Sequence, residues 1–171
     1  MDLEAPLDAW YVWLGVAICS LTLAGFTLAL PTEPPPDSNE VVNTIDRVDA
    51  SPYGGQATHA HNGNEAKVGT QQLALRNEGG TSRATVSYGS MIPLPAVEDP
   101  ALYDALDRIL VGEQVSRVTD NQSLTAKELA AECREVVERI TRDGATWKPT
   151  DGALRVRSVT IADERVLLVD V

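Results

Sequence analysis

The feature that most constrains this chain is a long run of residues without charge near its N-terminus. Residues 9–30 hold no Asp, Glu, Lys or Arg. As a helix rising about 1.5 Å per residue, the run would extend ~33 Å and would match the ~30 Å hydrocarbon core of a bilayer. Trp10, Tyr11 and Trp13 cluster at one end, where amphipathic rings favour the water–lipid boundary. We therefore predict a single membrane-spanning helix over residues 9–30.

Two other interpretations of this run fit the residues less well. A secretory signal peptide begins with a basic region, whereas residues 1–8 hold three carboxylates and no cation. A core helix that is apolar on all sides would be unusual in so small a chain. Small side chains recur along one side of the run and predict a helix-packing stripe, which consists of Ala17, Ser20, Ala24 and Thr27.

Composition shifts along the chain predict four segments. They are an acidic N-terminal tail over residues 1–8, the membrane helix over 9–30, a proline-rich spacer over 31–37 and an acidic domain over 38–171. The spacer holds Pro31 and the run Pro34-Pro35-Pro36, and consecutive prolines favour a stiff, extended conformation.

Hydrophobic periodicity predicts the fold class of the domain as α+β. Helical spacing indicates two to three amphipathic helices, at residues 38–49, from Pro100 onward, and at 126–142, the last with a Thr125/Glu128 capping box. Short alternating runs indicate strands at 56–61, 65–69, 71–77, 82–89, 153–161 and 165–171. We expect one small antiparallel sheet of five or six strands, with the helices on one face. Asn62-Gly63 and Gly79-Gly80 are predicted hairpin turns, and the last two strands are predicted to form a terminal hairpin around Asp163-Glu164.

The charge balance limits the classes of partner. The 171 residues include 25 acidic and 14 basic residues, for a net charge of -11. A nucleic-acid backbone requires a basic face, so no nucleic-acid partner is predicted. Eleven of the basic residues are Arg and only three are Lys. Scattered carboxylates with few lysines favour a surface that stays hydrated in concentrated salt, although an ordinary acidic protein from a GC-rich genome would have a similar composition.

One pair of side chains is a candidate metal site. His59 and His61 lie two residues apart and would point to the same face of a strand, with Glu65 as a candidate third ligand across the predicted hairpin. The simpler interpretation is two polar residues beside a turn. We adopt that interpretation and predict no metal and no cofactor.

Three segments resemble a known family. They are Asp8-Ala9-Trp10-Tyr11-Val12-Trp13, the spacer Pro31-Thr32-Glu33-Pro34-Pro35-Pro36, and Ser51-Pro52-Tyr53-Gly54. Together they resemble an uncharacterised haloarchaeal family of small membrane-anchored proteins. Members of that family resemble components encoded beside archaeal type IV pilus-like or secretion machinery. The resemblance implies a pilin-like or accessory role.

Motifs of catalysis are missing from the sequence, which has no Gly-x-Ser-x-Gly elbow, Walker loop or Gly-x-Gly-x-x-Gly stretch. We therefore expect a non-enzymatic protein of a surface appendage or secretion assembly, with other membrane or pilus-type subunits and the lipid bilayer as partners. The alternative function is a membrane-anchored, extracytoplasmic domain that binds a small ligand or an ion. In either case the expected location is the cell membrane, with a single span and the C-terminal domain outside the cell.

Overall fold

A computed structural model describes residues 8–28, 33–52, 54–87, 89–122 and 124–171. Within residues 8, 9 and 26–28 only the backbone is described. The chain divides into two compact units, Met1–Thr32 and Glu33–Val171. The first unit contains one helix, and the second contains all the strands of the described residues.

Five α-helices and eight strands form within the described residues. The helices are α1 (Asp8–Leu28), α2 (Ser38–Asp49), α3 (Pro100–Leu110), α4 (Val115–Gln122) and α5 (Ala126–Asp143). The strands are β1 (Gln56–Ala60), β2 (Glu65–Val68), β3 (Gln72–Asn77), β4 (Gly80–Thr85), β5 (Met91–Pro93), β6 (Lys148–Pro149), β7 (Ala153–Ile161) and β8 (Glu164–Asp170). A short 3-10 helix, Leu94–Ala96, follows β5.

The predicted membrane span is corrected by the structure. Among the described residues, no helix has both the length and the apolar character needed to cross a membrane. The prediction of a single-pass anchor over residues 9–30, with the domain outside the cell, is therefore wrong.

The prediction of a single antiparallel sheet is also wrong, although the predicted α+β class is confirmed. The strands form two four-stranded sheets, which we call the central sheet (order β1-β7-β8-β5) and the second sheet (order β4-β3-β2-β6). The central sheet is mixed, because β5 runs parallel to β8 while the other pairs are antiparallel. Four helices, not two or three, accompany these sheets within the second unit.

The central sheet lies between two apolar cores because side chains alternate along β8. Val166 and Leu168 pack with α3, α4 and α5 in one core. Leu167 and Val169 point the other way and pack with α2 and the second sheet in the other core. The second unit is therefore layered as three helices, the central sheet, and then α2 with the second sheet.

Local sequence signals account for where the helices begin. The Asp37 side chain accepts hydrogen bonds from the backbone N–H groups of Asn39 and Glu40 at the start of α2. Asp99 does the same for α3, with Pro100 in the first turn, where its missing N–H is not needed. The Thr125/Glu128 capping box predicted for α5 is present, and Gly144 caps its other end. These three helix starts agree with the sequence prediction.

Two of the three predicted hairpins form. β3 and β4 pair across Gly79, and β7 and β8 pair across Ala162 and Asp163, which both have positive φ. Positive φ at two successive loop residues matches the twist of a tight hairpin. The prediction of a hairpin at Asn62-Gly63 is wrong, because the strands on either side of it do not pair with each other. β1 pairs with β7, and β2 pairs with β3. The chain passes from one sheet to the other at this point.

The proline-rich segment lies partly against the second unit. Residues 31 and 32 are outside the described residues, but the carbonyl oxygen of Pro34 accepts hydrogen bonds from the side-chain amides of Asn62 and Asn77. Pro36 is buried. The described part of the spacer is thus held by the domain that follows it.

Candidate binding cleft

The outer face of the second sheet carries the clearest site geometry in the domain. Leu73 and Leu75 of β3 point into the core, so Ala74 points to the opposite face. In the sheet register, Ala74 is opposite Lys67 of β2 on one side and opposite Arg83 of β4 on the other. Three adjacent strands therefore place a small side chain between two cations on the same face.

The two cations in this row have no counter-ion among the residues that the structure describes. Neither Lys67 nor Arg83 forms an ion pair or a side-chain hydrogen bond with a described residue. The next row differs, since Arg76 lies 2.5 Å from Glu65 and its guanidinium carbon lies 4.6 Å from the centre of the Trp147 ring. The charge of Arg76 is thus neutralised by Glu65, and its guanidinium stacks on the Trp147 ring. Lys67 and Arg83 have no such partners within the described chain and can bind a ligand.

A cleft of about 460 Å³ opens over Ala74. The end of α5 and the segment after it form one wall, through Ile140, Thr141, Gly144 and Ala145. The rest of the lining comes from the second sheet and its β2–β3 turn and consists of Lys67, Gly69, Thr70, Gln71, Gln72, Leu73, Ala74 and Arg83. This lining includes two cations, amides and hydroxyls, and none of its residues is acidic.

A second cavity of about 210 Å³ shares Ile140, Gly144 and Ala145 with the first. Its charged groups compensate one another. Glu98 lies 2.9 Å from Arg139, and Asp143 and Lys148 also line the cavity. The two neighbouring cavities therefore differ in charge, and of these two it is the cleft over Ala74 whose lining has an excess of positive charge.

The histidine pair does not form a three-ligand site. His61 Nδ1 accepts a hydrogen bond from the Gly63 N–H, and burial, followed by the charge of His59, lowers the pKa of His61. His59 Nε2 is 4.0 Å from the Glu40 carboxylate. Glu65 is not the third ligand, because it lies in the other sheet and pairs with Arg76. Within the described chain, no group of three His, Cys, Asp or Glu could hold a metal ion.

The predicted residues of α1 lie on a helix that is exposed throughout its described part. Trp10, Tyr11 and Trp13 are all more than 60% exposed, and their predicted boundary role depended on the membrane span. Ala17, Ser20 and Ala24 are also exposed. The side chain of Thr27 lies outside the described residues, and the helix-packing stripe stays a prediction.

Lys67, Ala74 and Arg83 were not among the site residues predicted from the sequence. The alternation of Leu73 and Leu75 was a usable signal, because it places Ala74 on the opposite face. The Gly79 turn between β3 and β4 then aligns Arg83 with Ala74. The position of Lys67 depends on the β2–β3 turn, for which the sequence offers no two-residue hairpin signature.

The fold and the cleft define an acidic, three-layered α+β domain with a basic cleft on the outer face of its second sheet. The model of DUF7283, a family of unknown function, matches residues 4–159 of the chain. The chain therefore belongs to this family. Comparison with curated proteins and with solved structures found no match.

Proposed function

We propose that this protein is a non-enzymatic subunit of a protein assembly and that its copies join through strand β1. The observation that supports this role is the open backbone edge of β1. Gly55 O accepts from the Ser158 N–H at 2.9 Å, and the His61 N–H donates to Gly152 O at 2.7 Å. In an antiparallel pair, successive residues of a strand direct their backbone N–H and C=O groups alternately toward and away from the neighbouring strand. Since Gly55 and His61 bond toward β7, the backbone groups of Gln56, Thr58 and Ala60 point away from it.

The β1 edge lacks the features that usually protect strand edges from pairing. Such edges are kept short or carry a proline or a charge. The other edge of the central sheet, β5, has three residues including Pro93, and β6 has two residues including Pro149. The β4 edge carries Arg83. By contrast, β1 has five residues, Gln-Ala-Thr-His-Ala, without proline, acidic residue, Lys or Arg.

A second copy of the chain is the occupant that suits this edge best. In an antiparallel pair centred on Thr58, Thr58 of one protomer faces Thr58 of the other, and Gln56 faces Ala60. The three outward residues are exposed, so no side chain has to leave a core. In a chain of net charge -11, a strand without acidic residues is also a place where two copies can approach with little local repulsion.

The resemblance noted in the sequence is consistent with this role. It implies a pilin-like or accessory component, and such components act through contacts between subunits. The lining of the basic cleft offers Lys67 and two threonines but no Ser, Cys, His or carboxylate side chain, so no hydroxyl there is paired with a His or carboxylate base. We therefore favour binding and assembly over catalysis.

Proline substitution at the open edge tests the role in assembly. The Thr58 N–H faces away from β7, so Thr58→Pro removes a donor to the partner without removing a β1–β7 hydrogen bond. Thr85→Pro is the matched control, because the Thr85 N–H also faces outward, but from β4. Sedimentation of the full chain should show dimers or larger species for the wild type and for Thr85→Pro, and monomers for Thr58→Pro.

Circular dichroism would establish that both variants are folded before they are compared. A wild-type chain that sediments as a monomer at every concentration tested would contradict the proposed assembly. The same holds if folded Thr58→Pro associates as strongly as the wild type.

A further inference from the structure

We propose that the cleft over Ala74 binds a small organic oxyanion, with a phosphate or carboxylate group held between Lys67 and Arg83. The rest of the ligand would carry hydroxyl groups, as a phosphorylated or acidic sugar does. This binding site is independent of the β1 edge, which belongs to the other sheet.

The distribution of charge is the first argument for an anionic ligand. The chain has 25 acidic residues, yet none lines this cleft. Lys67 and Arg83 face the same space, with no described carboxylate to offset their repulsion. An anion in the cleft would supply the missing counter-charge at short range, where the net charge of the whole chain matters less because salt screens distant charges.

The spacing of the two cations is the second argument. They stand on strands that flank β3, so their Cα atoms are roughly 10 Å apart at ~4.8 Å between neighbouring strands. The side chain of Ala74 between them is a single methyl group and leaves room above it. Two long, flexible side chains can converge on one oxyanion there, with Arg83 able to contact two oxygens and Lys67 acting as a point charge.

The uncharged part of the lining indicates what else the ligand carries. Thr70, Gln71, Gln72 and Thr141 line the cleft and offer both donors and acceptors. Such groups pair with hydroxyls as well as with anionic oxygens. The volume of about 460 Å³ falls in the range of small-molecule sites.

The orientation of α5 means that, among the described residues, only the two cations can attract an anion into the cleft. A helix C-terminus presents carbonyl oxygens and a partial negative charge, so it does not attract an anion. Since α5 meets the cleft with its C-terminal end, the electrostatic attraction has to come from Lys67 and Arg83. Removing either cation should therefore weaken binding markedly.

Calorimetric titration of the full chain with four probes tests the site. Glucose 6-phosphate and glucuronate distinguish the two anionic groups, glucose lacks the charge, and inorganic phosphate lacks the hydroxylated ring. We expect saturable binding of at least one of the two sugar anions, weaker binding of inorganic phosphate and no binding of glucose. Lys67→Gln and Arg83→Gln should each weaken the binding by about tenfold or more.

Lys127→Gln and Arg117→Gln are matched controls, because they make the same charge change at exposed positions outside the cleft. They should leave the affinity unchanged.

An absence of saturable binding for both sugar anions would overturn the proposed site, and so would an equal loss of affinity in the controls. Equal affinity for glucose 6-phosphate and inorganic phosphate would overturn the role of the hydroxyl groups. We expect Thr58→Pro to bind the sugar anion as the wild type does, because the cleft does not depend on association through β1. Failure of the assembly proposal would then leave the proposed binding site intact.

Discussion

The side-chain amide of Asn77 donates a hydrogen bond of 2.9 Å to the carbonyl oxygen of Pro34. The same amide donates to Asn62 O, and Asn77 Oδ1 accepts from the backbone N–H groups of Gly79 and Gly80. Asn77 is only 8% exposed. One buried side chain thus joins the segment before α2, the link between the two sheets and the β3–β4 turn.

We predict that Asn77→Asp destabilises the domain by about 2 kcal/mol or more, because a buried carboxylate would face two carbonyl oxygens without a proton to donate. Urea unfolding followed by circular dichroism measures the change. Asn43→Asp is the control, since it makes the same change on an exposed position of α2 and should stay near the wild type. Equal stability of the two variants would show that the hydrogen bonds donated by the Asn77 amide contribute nothing.

Short-range signals predicted much of the fold. Asp37, Asp99-Pro100 and the Thr125/Glu128 pair mark helix starts through bonds to neighbouring backbone groups, so the information lies within a few residues. The β7–β8 hairpin is similar, because its alternating residues flank a tight turn. These elements could be placed from the sequence alone.

Long-range pairing could not be placed in this way. β5 has three residues, ends in a proline and pairs with β8, which lies more than 70 residues further along the chain. α4 has few apolar residues, and its helical pattern depends on packing against α3 and α5. The cleft required the register of three strands, which is set by pairing between residues of separate strands. In each case the deciding contacts lie far apart in sequence.

The capping box of α5 provides a second prediction. The Thr125 hydroxyl accepts from the Glu128 N–H, and the Glu128 carboxylate accepts from the Thr125 backbone N–H and hydroxyl. Thr125→Ala should cost about 1 kcal/mol in the free energy of unfolding, while Thr125→Ser should restore most of it. Urea denaturation at neutral pH checks both values. A Thr125→Ser variant as unstable as Thr125→Ala would exclude the hydroxyl as the cause.

The same box has a pH dependence. Hydrogen bonds from the Thr125 backbone and then its hydroxyl lower the pKa of Glu128. A lowered pKa means that the stabilisation is present above the ordinary glutamate value, around pH 4, and is lost as the pH falls through the folded-state pKa. NMR titration should place the Glu128 pKa below its ordinary value in the wild type and nearer to it in Thr125→Ala. An identical titration in both proteins would contradict the hydroxyl contribution.

The two cysteines should differ in reactivity. Burial, together with the charges of Glu132 and Glu164, raises the pKa of the Cys133 thiol to about 12, whereas Cys19 is exposed. At pH 8 we expect iodoacetamide to modify the native chain at Cys19 alone and the urea-unfolded chain at both sites, as read by peptide mass spectrometry. Native Cys19→Ala should then remain unmodified. Labelling of Cys133 at the rate of Cys19 in the native chain would show that the thiol is accessible.

Salt should stabilise the folded chain, because its net charge of -11 causes repulsion that a screening electrolyte reduces. Salt also weakens ion pairs such as Arg134–Glu164, but both partners there are at least half exposed, and such pairs contribute little. We expect the melting temperature to rise between about 0.1 M and about 2 M KCl. A variant with Glu132→Gln, Glu135→Gln and Glu138→Gln on the exposed face of α5 should show a smaller rise, since it has less repulsion to screen. A melting temperature that stays flat or falls in the wild type would show that the carboxylates are not adapted to concentrated salt.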